Sequence, residues 1–116
     1  DAPTATRMVK AGNHIYLQLF MPVDDETKQI MHQGDMENQA RRCLERIKIA
    51  LEDAGAALDD LVQLTIYTLD MSRNEEFFLV RKEYFPNGGV VTEAVGVTAL
   101  NEPDALVAMS GVAYVS

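Results

Sequence analysis

The chain has 116 residues, enough for one domain (1–116) and not for two. Hydrophobic residues make up 47% and charged residues 24%, the balance of an ordinary globular chain. Lys and Arg number 10 against 18 Asp and Glu, a net charge of −8, which argues against nucleic acid as a partner because phosphate backbones need clustered cations.

Thr4 to Gly12 and His14 to Met21 are rich in β-forming residues, and Ala11-Gly12-Asn13 between them reads as a turn. An antiparallel hairpin is expected, closed by Pro22 and followed by a polar loop from Asp24 to Gly34. Asp35 is placed to cap a helix from Met36 to Ala54. Its apolar positions Met36, Ala40, Cys43, Leu44, Ile47, Ala50, Leu51 and Ala54 recur at steps of three and four and form one stripe. Gly55 is a natural stop. Arg41, Arg42, Glu45, Arg46, Lys48 and Glu52 fall mostly outside the stripe and should face water, while Ile49 lies off it. Leu61 to Leu69 alternates as a strand. A shorter helix is expected over Glu75 to Phe85, capped by Ser72 or Asn74 and ended by Pro86-Asn87-Gly88-Gly89. Val90 to Leu100 and Ala105 to Val115 complete the strands, with a turn at Asn101-Glu102-Pro103-Asp104.

The order ββαβαββ predicts an α+β fold, with a mixed or mostly antiparallel sheet and both helices on one face. The last strand is apolar on both sides. Val107, Met109, Gly111, Ala113 and Val115 alternate with Leu106, Ala108, Ser110, Val112 and Tyr114. One side packs on the helices, and the other calls for cover from a partner subunit.

Catalytic motifs are sparse. Gly88-Gly89 lacks the spacing and lysine of a phosphate-binding loop, and no Gly-x-Ser-x-Gly elbow occurs. One cysteine and two distant histidines make a His/Cys metal site a poor expectation, and no metal or cofactor is expected. Cys43 sits on the apolar stripe and reads as a small buried hydrophobe. Its being alone excludes an internal disulfide and fits a reducing, cytoplasmic compartment. No apolar run approaches the roughly 18 residues of a membrane span, and no basic segment precedes an apolar core at the start. Glu93, Ser110 and Gln18 stand out as polar residues in otherwise apolar strands.

Several segments, taken in order, are similar to the RidA (YjgF, L-PSP) family. They are Gly12-Asn13, Met21-Pro22-Val23, Gln39-Ala40-Arg41, Leu51-Glu52-Asp53-Ala54-Gly55 and Asp60-Leu61-Val62-Gln63-Leu64-Thr65-Ile66-Tyr67. Asp70-Met71, Tyr84-Phe85-Pro86, Val95-Gly96-Val97-Thr98-Ala99-Leu100 and Gly111-Val112-Ala113 follow. The resemblance covers nearly the whole chain. It implies a chorismate-mutase-like fold, a homotrimer around a central barrel, and small-molecule clefts between subunits. It also implies cofactor-free hydrolysis of 2-imino or 2-enamino acids to 2-oxo acids and ammonia, with an arginine holding the substrate carboxylate and a glutamate positioning water.

The sequence departs from the family pattern at those two residues. The arginine position falls on Thr92, in Val90-Val91-Thr92-Glu93-Ala94-Val95, and the glutamate position on Ser110. The Ser-Gly-Gln of the second strand becomes Gln18-Leu19-Phe20. Loss of the arginine beside a new Glu93 is expected to invert the charge preference of the cleft and disfavour ordinary 2-imino acid deamination. The expected site has Glu93 as acid/base with Ser110, and Gln18, Phe20, Thr92 and Tyr84 as substrate-binding residues. Such a cleft suits a neutral or cationic small ligand. Two functions are consistent with it: a divergent imine or enamine hydrolase, or a trimer that binds a small metabolite or acts as a chaperone without catalysis.

Overall fold

The computed structural model describes residues 7–116. The start of the expected first strand, from Thr4, lies outside them. The strands are β1 (Met8–Ala11), β2 (His14–Phe20), β3 (Leu61–Thr68), β4 (Val91–Gly96) and β5 (Val107–Tyr114), and the helices are α1 (Met36–Asp53) and α2 (Asn74–Tyr84). The five strands form one sheet in the order β1-β2-β5-β3-β4. β3 and β4 run parallel, as strands joined through a helix can, and every other neighbouring pair is antiparallel. The expected ββαβαββ order and the two-helix α+β architecture are thus observed. The fourth strand is shorter than expected and ends at Gly96, after which Val97 N–H still donates to Thr68 O at 2.9 Å.

Local signals explain most boundaries. Gly12 takes φ +60° in the two-residue loop between β1 and β2. Asp35 caps α1, its Oδ1 accepting from Asn38 N–H at 3.0 Å. That bond holds the Asp35 carboxyl below the usual carboxylate range. At the other end Ala56 N–H reaches Leu51 O and Gly55 N–H reaches Glu52 O, the pairing of a Schellman ending. Neither Ser72 nor Asn74 caps α2. Asp70 instead accepts from Ser72 N–H and closes a short 3-10 turn, Met71–Arg73, that leads into the helix.

Odd-numbered residues of β2 and β5 (Ile15, Leu17, Val107, Met109, Ala113) join Leu64 and Ile66 of β3 to meet the buried stripe of α1 and Phe77 and Val80 of α2. Cys43 is fully buried there, and burial pushes its thiol pKa up, which makes it a packing residue. Among the described residues, the other sheet face is covered at one end, where Ala108 packs with Met21 and Ala105. Elsewhere Val9, Tyr16, Val91, Val95 and Tyr114 of that face are exposed.

Two polar residues, Gln39 and Thr68, are fully buried, and Gln39 makes the larger set of contacts. Gln39 of α1 donates through Nε2 to His32 O at 3.2 Å and Asp104 O at 3.1 Å, and its Oε1 accepts from Leu106 N–H at 2.7 Å. It joins the helix to the loop before it and to the segment that enters β5. Gln39→Leu strands two carbonyls and one N–H, so it should destabilise the fold by about 3 kcal/mol in urea denaturation.

Candidate functional site

The open sheet face carries a cleft of about 260 Å³ whose polar side chains come from four elements or their approaches. Gln18 comes from β2, Gln63 and Thr65 from β3, Ser110 from β5, and Arg7 precedes β1. Each strand residue points to this face because strands alternate, and its neighbours of opposite parity are in the core. Thr65 is nearly buried, and its hydroxyl donates to Glu93 Oε1 across the β3–β4 pair at 3.4 Å. That contact holds the carboxylate of Glu93 at the edge of the cleft. Arg7 is engaged through Nη1 with Leu19 O at 3.0 Å. The floor depends on Gly111, where a Cβ would stand 2.8 Å from Gln63 O, so β3 and β5 can approach this closely only around glycine.

The arrangement offers two amides, a hydroxyl pair and a guanidinium around a small volume, with one carboxylate beside it. A carboxylate so placed can take or give a proton, and the amides and hydroxyls can orient a polar ligand. Among the described residues no group of three or more His, Cys, Asp or Glu is placed to hold a metal ion.

The sequence of residues 3–115 matches the family described as Endoribonuclease L-PSP. A RutC family protein of Pyrococcus abyssi is 37% identical over 94% of this chain and 84% of its own. The 3-aminoacrylate deaminase RutC of Acinetobacter baylyi is 36% identical over 91% of this chain and 82% of its own. The chain belongs to the RidA/YjgF (L-PSP) family. Among solved structures, a YjgF-family protein of Mycobacterium tuberculosis has a TM-score of 0.82 at 34% identity, covering 97% of this chain and 88% of that one. RidA from an Antarctic Psychrobacter has a TM-score of 0.89 at 26% identity, covering 99% and 91%.

Within this RidA-family fold, the expected site residues are only partly brought together. Gln18 and Ser110 line the cleft and Glu93 edges it. Phe20 does not. The β2–β5 register shifts between Leu17 and Phe20, which turns Phe20 out of its even-numbered parity and into the core opposite Met109. The Arg46 guanidinium lies over its ring at 5.5 Å. Tyr84 lies on the helix layer and donates to Glu45 Oε2 at 2.7 Å. Burial and that carboxylate raise its pKa. Thr92 pairs with core residue Leu64 and faces α2, where its hydroxyl accepts from Arg81 Nη1 at 3.5 Å. Glu93 and Thr92 are therefore on opposite sides of β4, and the expected inversion of charge within one cleft does not follow from their adjacency in sequence. Thr65 and Gln63 were absent from the expected set, although they belong to the family-like segment of β3, because exposure on the open face is set by the bulge between Leu61 and Gln63.

The glycine at the floor supplies a direct check. Gly111→Ala should cost about 2 kcal/mol of stability by overpacking, read as a lowered midpoint in chemical denaturation, and should widen the β3–β5 spacing beneath Ser110.

Proposed function

We propose that the chain is a divergent small-molecule hydrolase of its family, acting on imine or enamine bonds in clefts that neighbouring copies complete as a homotrimer. The observation that carries this reading is the convergence of Gln18, Thr65 and Ser110 on one cleft of an exposed sheet face, with the Glu93 carboxylate hydrogen-bonded to the lining residue Thr65. The 36% identity to a protein named as a deaminase supports the reaction class.

In this mechanism an enamine is first protonated at carbon to give the imine. The Glu93 carboxylate accepts a proton from water as the water oxygen adds to the C=N carbon. The nitrogen takes the proton held by Glu93 and then the proton of the new hydroxyl, the C–N bond breaks, and ammonia leaves a carbonyl behind. The Ser110 hydroxyl and the Gln18 amide hold the ligand by hydrogen bonds. Thr92 faces away from this cleft and anchors nothing in it, so any carboxylate on the ligand is held by another residue.

Assembly follows from the same face. Val9, Tyr16, Val91, Val95 and Tyr114 leave apolar area in water, and burial of each such side chain contributes roughly 1.5–3 kcal/mol. A second copy is the partner of matching chemistry, because the face is apolar with a polar centre. The chain mass is 12.9 kDa, and light scattering after size exclusion should give about three times that value. Tyr16→Lys should shift the mass toward that of one copy.

Ammonia release from 2-iminobutyrate is the decisive assay of the chemistry. Turnover above the buffer rate is expected, with Glu93→Gln lowering kcat about 100-fold and leaving the assembly intact. Unchanged turnover in Glu93→Gln removes Glu93 from the reaction. A stabilising metabolite that is never converted would instead favour a binding trimer.

A further inference from the structure

The two histidines of the chain stand in different surroundings, and one of them is built into the open sheet face. His14 opens β2 and shares the even parity of Tyr16, so its ring leaves the sheet on the side away from the helices. The ring stacks with Tyr16 at 6.1 Å between centroids. It lies edge-on to Tyr114, its cross-strand partner on β5, at 5.1 Å. Asn13 Nδ2 donates to the Tyr114 hydroxyl at 3.4 Å. On its other flank β1 places Ala11 opposite His14. Tyr16 and Tyr114 are 48% and 44% exposed, and His14 is exposed between them. His32, by contrast, borders a cavity of the helical layer with Arg42 and Tyr84.

Among the described residues His14 is in no ion pair. The groups facing it are two phenols and a methyl, and a phenol stays neutral where an imidazole titrates. Lys10 of β1 is opposite Ile15 and so has the parity of the core side. Arg7 lies at the far end of β2, beside Gln18. Asp60, ahead of β3, accepts from Ala57 N–H at 2.9 Å. Glu93 stands on β4, three strand positions from β2, or about 14 Å. An imidazole gains its charge between about pH 5 and 8. Neutral, it suits an apolar face that another copy covers; charged and without a carboxylate, it does not. We infer that His14 is a proton-sensitive lock on assembly, in which protonation of the imidazole separates the copies that cover this face. The inference rests on the assembly proposed above, whose regulation it names. Above the imidazole range the ring is neutral in free and assembled copies alike, and pH has no effect through it. Below that range the free copy holds a proton that the covered face excludes, so association weakens as pH falls. Three copies then release three protons on assembling, and the association constant falls by up to about 1,000-fold per pH unit. The net charge of −8 on each copy acts the other way, because acidification reduces it and the repulsion with it. Surface charges are screened over about 8 Å at 0.15 M salt, whereas a charge on a covered ring is not, so the local effect decides.

The test is a dilution series read by light scattering after size exclusion, at about pH 8 and about pH 5.5 in constant salt. At the higher pH the parent should give about three times 12.9 kDa. At the lower pH the protein concentration at which half the assemblies separate should rise about tenfold or more, at unchanged far-ultraviolet circular dichroism. His14→Phe keeps an aromatic ring against Tyr16 and Tyr114, and His14→Gln keeps a polar side chain; both should hold the same midpoint at the two pH values. His32→Gln should follow the parent. A parent midpoint that does not move with pH, or His14 variants that separate on acidification as the parent does, overturns the lock and leaves the assembly standing. So does a separation accompanied by loss of the helical signal, or failure of both His14 variants to assemble at about pH 8. A parent mass of one copy at about pH 8 overturns the assembly itself, and the lock with it.

Discussion

Two stretches without regular structure meet at the amide of Gln39, the loop before α1 and the segment that enters β5, and the placement of the sheet's central strand rests on that meeting. The amide is fully buried, and a buried amide is tolerable only when its donors and acceptor are used. Here the carbonyls of His32 and Asp104 and the N–H of Leu106 use them. Leu106 immediately precedes β5, which pairs with both β2 and β3. The amide therefore fixes where β5 begins relative to α1. The same strand carries Ser110 and Gly111 to the cleft floor, so a contact on the helix side sets the position of groups on the open side. Helix, turn and cleft are tied through one side chain rather than through general apolar packing, which would let β5 slide by two residues without changing which face is buried.

The architecture was largely legible in the residues because it depends on period and punctuation. The α1 stripe, the Asp35 cap and the Gly55 ending are all local signals, and each is realised in hydrogen bonds. The site was less legible because it depends on which side of a strand a residue takes. Parity gives that side only while the register is unbroken. In β2 the register shifts before Phe20, which sends an aromatic expected in the cleft into the core beneath Arg46. In β3 the shift near Val62 decides that Gln63 and Thr65 share the open face. Gln39 could be read as part of a family-like segment, but its three partners are 7, 65 and 67 residues away, and no local pattern reports them.

The net charge of −8 is also less uniform than the composition implies. Arg41, Arg42, Arg46 and Arg73 all lie against carboxylates of the helices and of the loop before α1. Such part-exposed pairs contribute little stability individually. Their larger consequence is to pair these four guanidiniums with acids of the same layer. Among the described residues, Glu93 on one side of β4 and Arg81 on the other are in no ion pair.

That separation is a product of strand geometry. Glu93 and Thr92 are consecutive, so their side chains leave β4 in opposite directions, and Arg81 follows Thr92. Had the acid stood at position 92, it would have met the Arg81 fork directly, as Glu83 meets Arg41, and each group would have neutralised the other. The observed order puts a short hydroxyl under the guanidinium and sends the acid across the sheet to Thr65. Among the described residues, neither charge forms an ion pair. A one-residue offset along an edge strand thus keeps two opposite charges apart on the two faces of a single sheet.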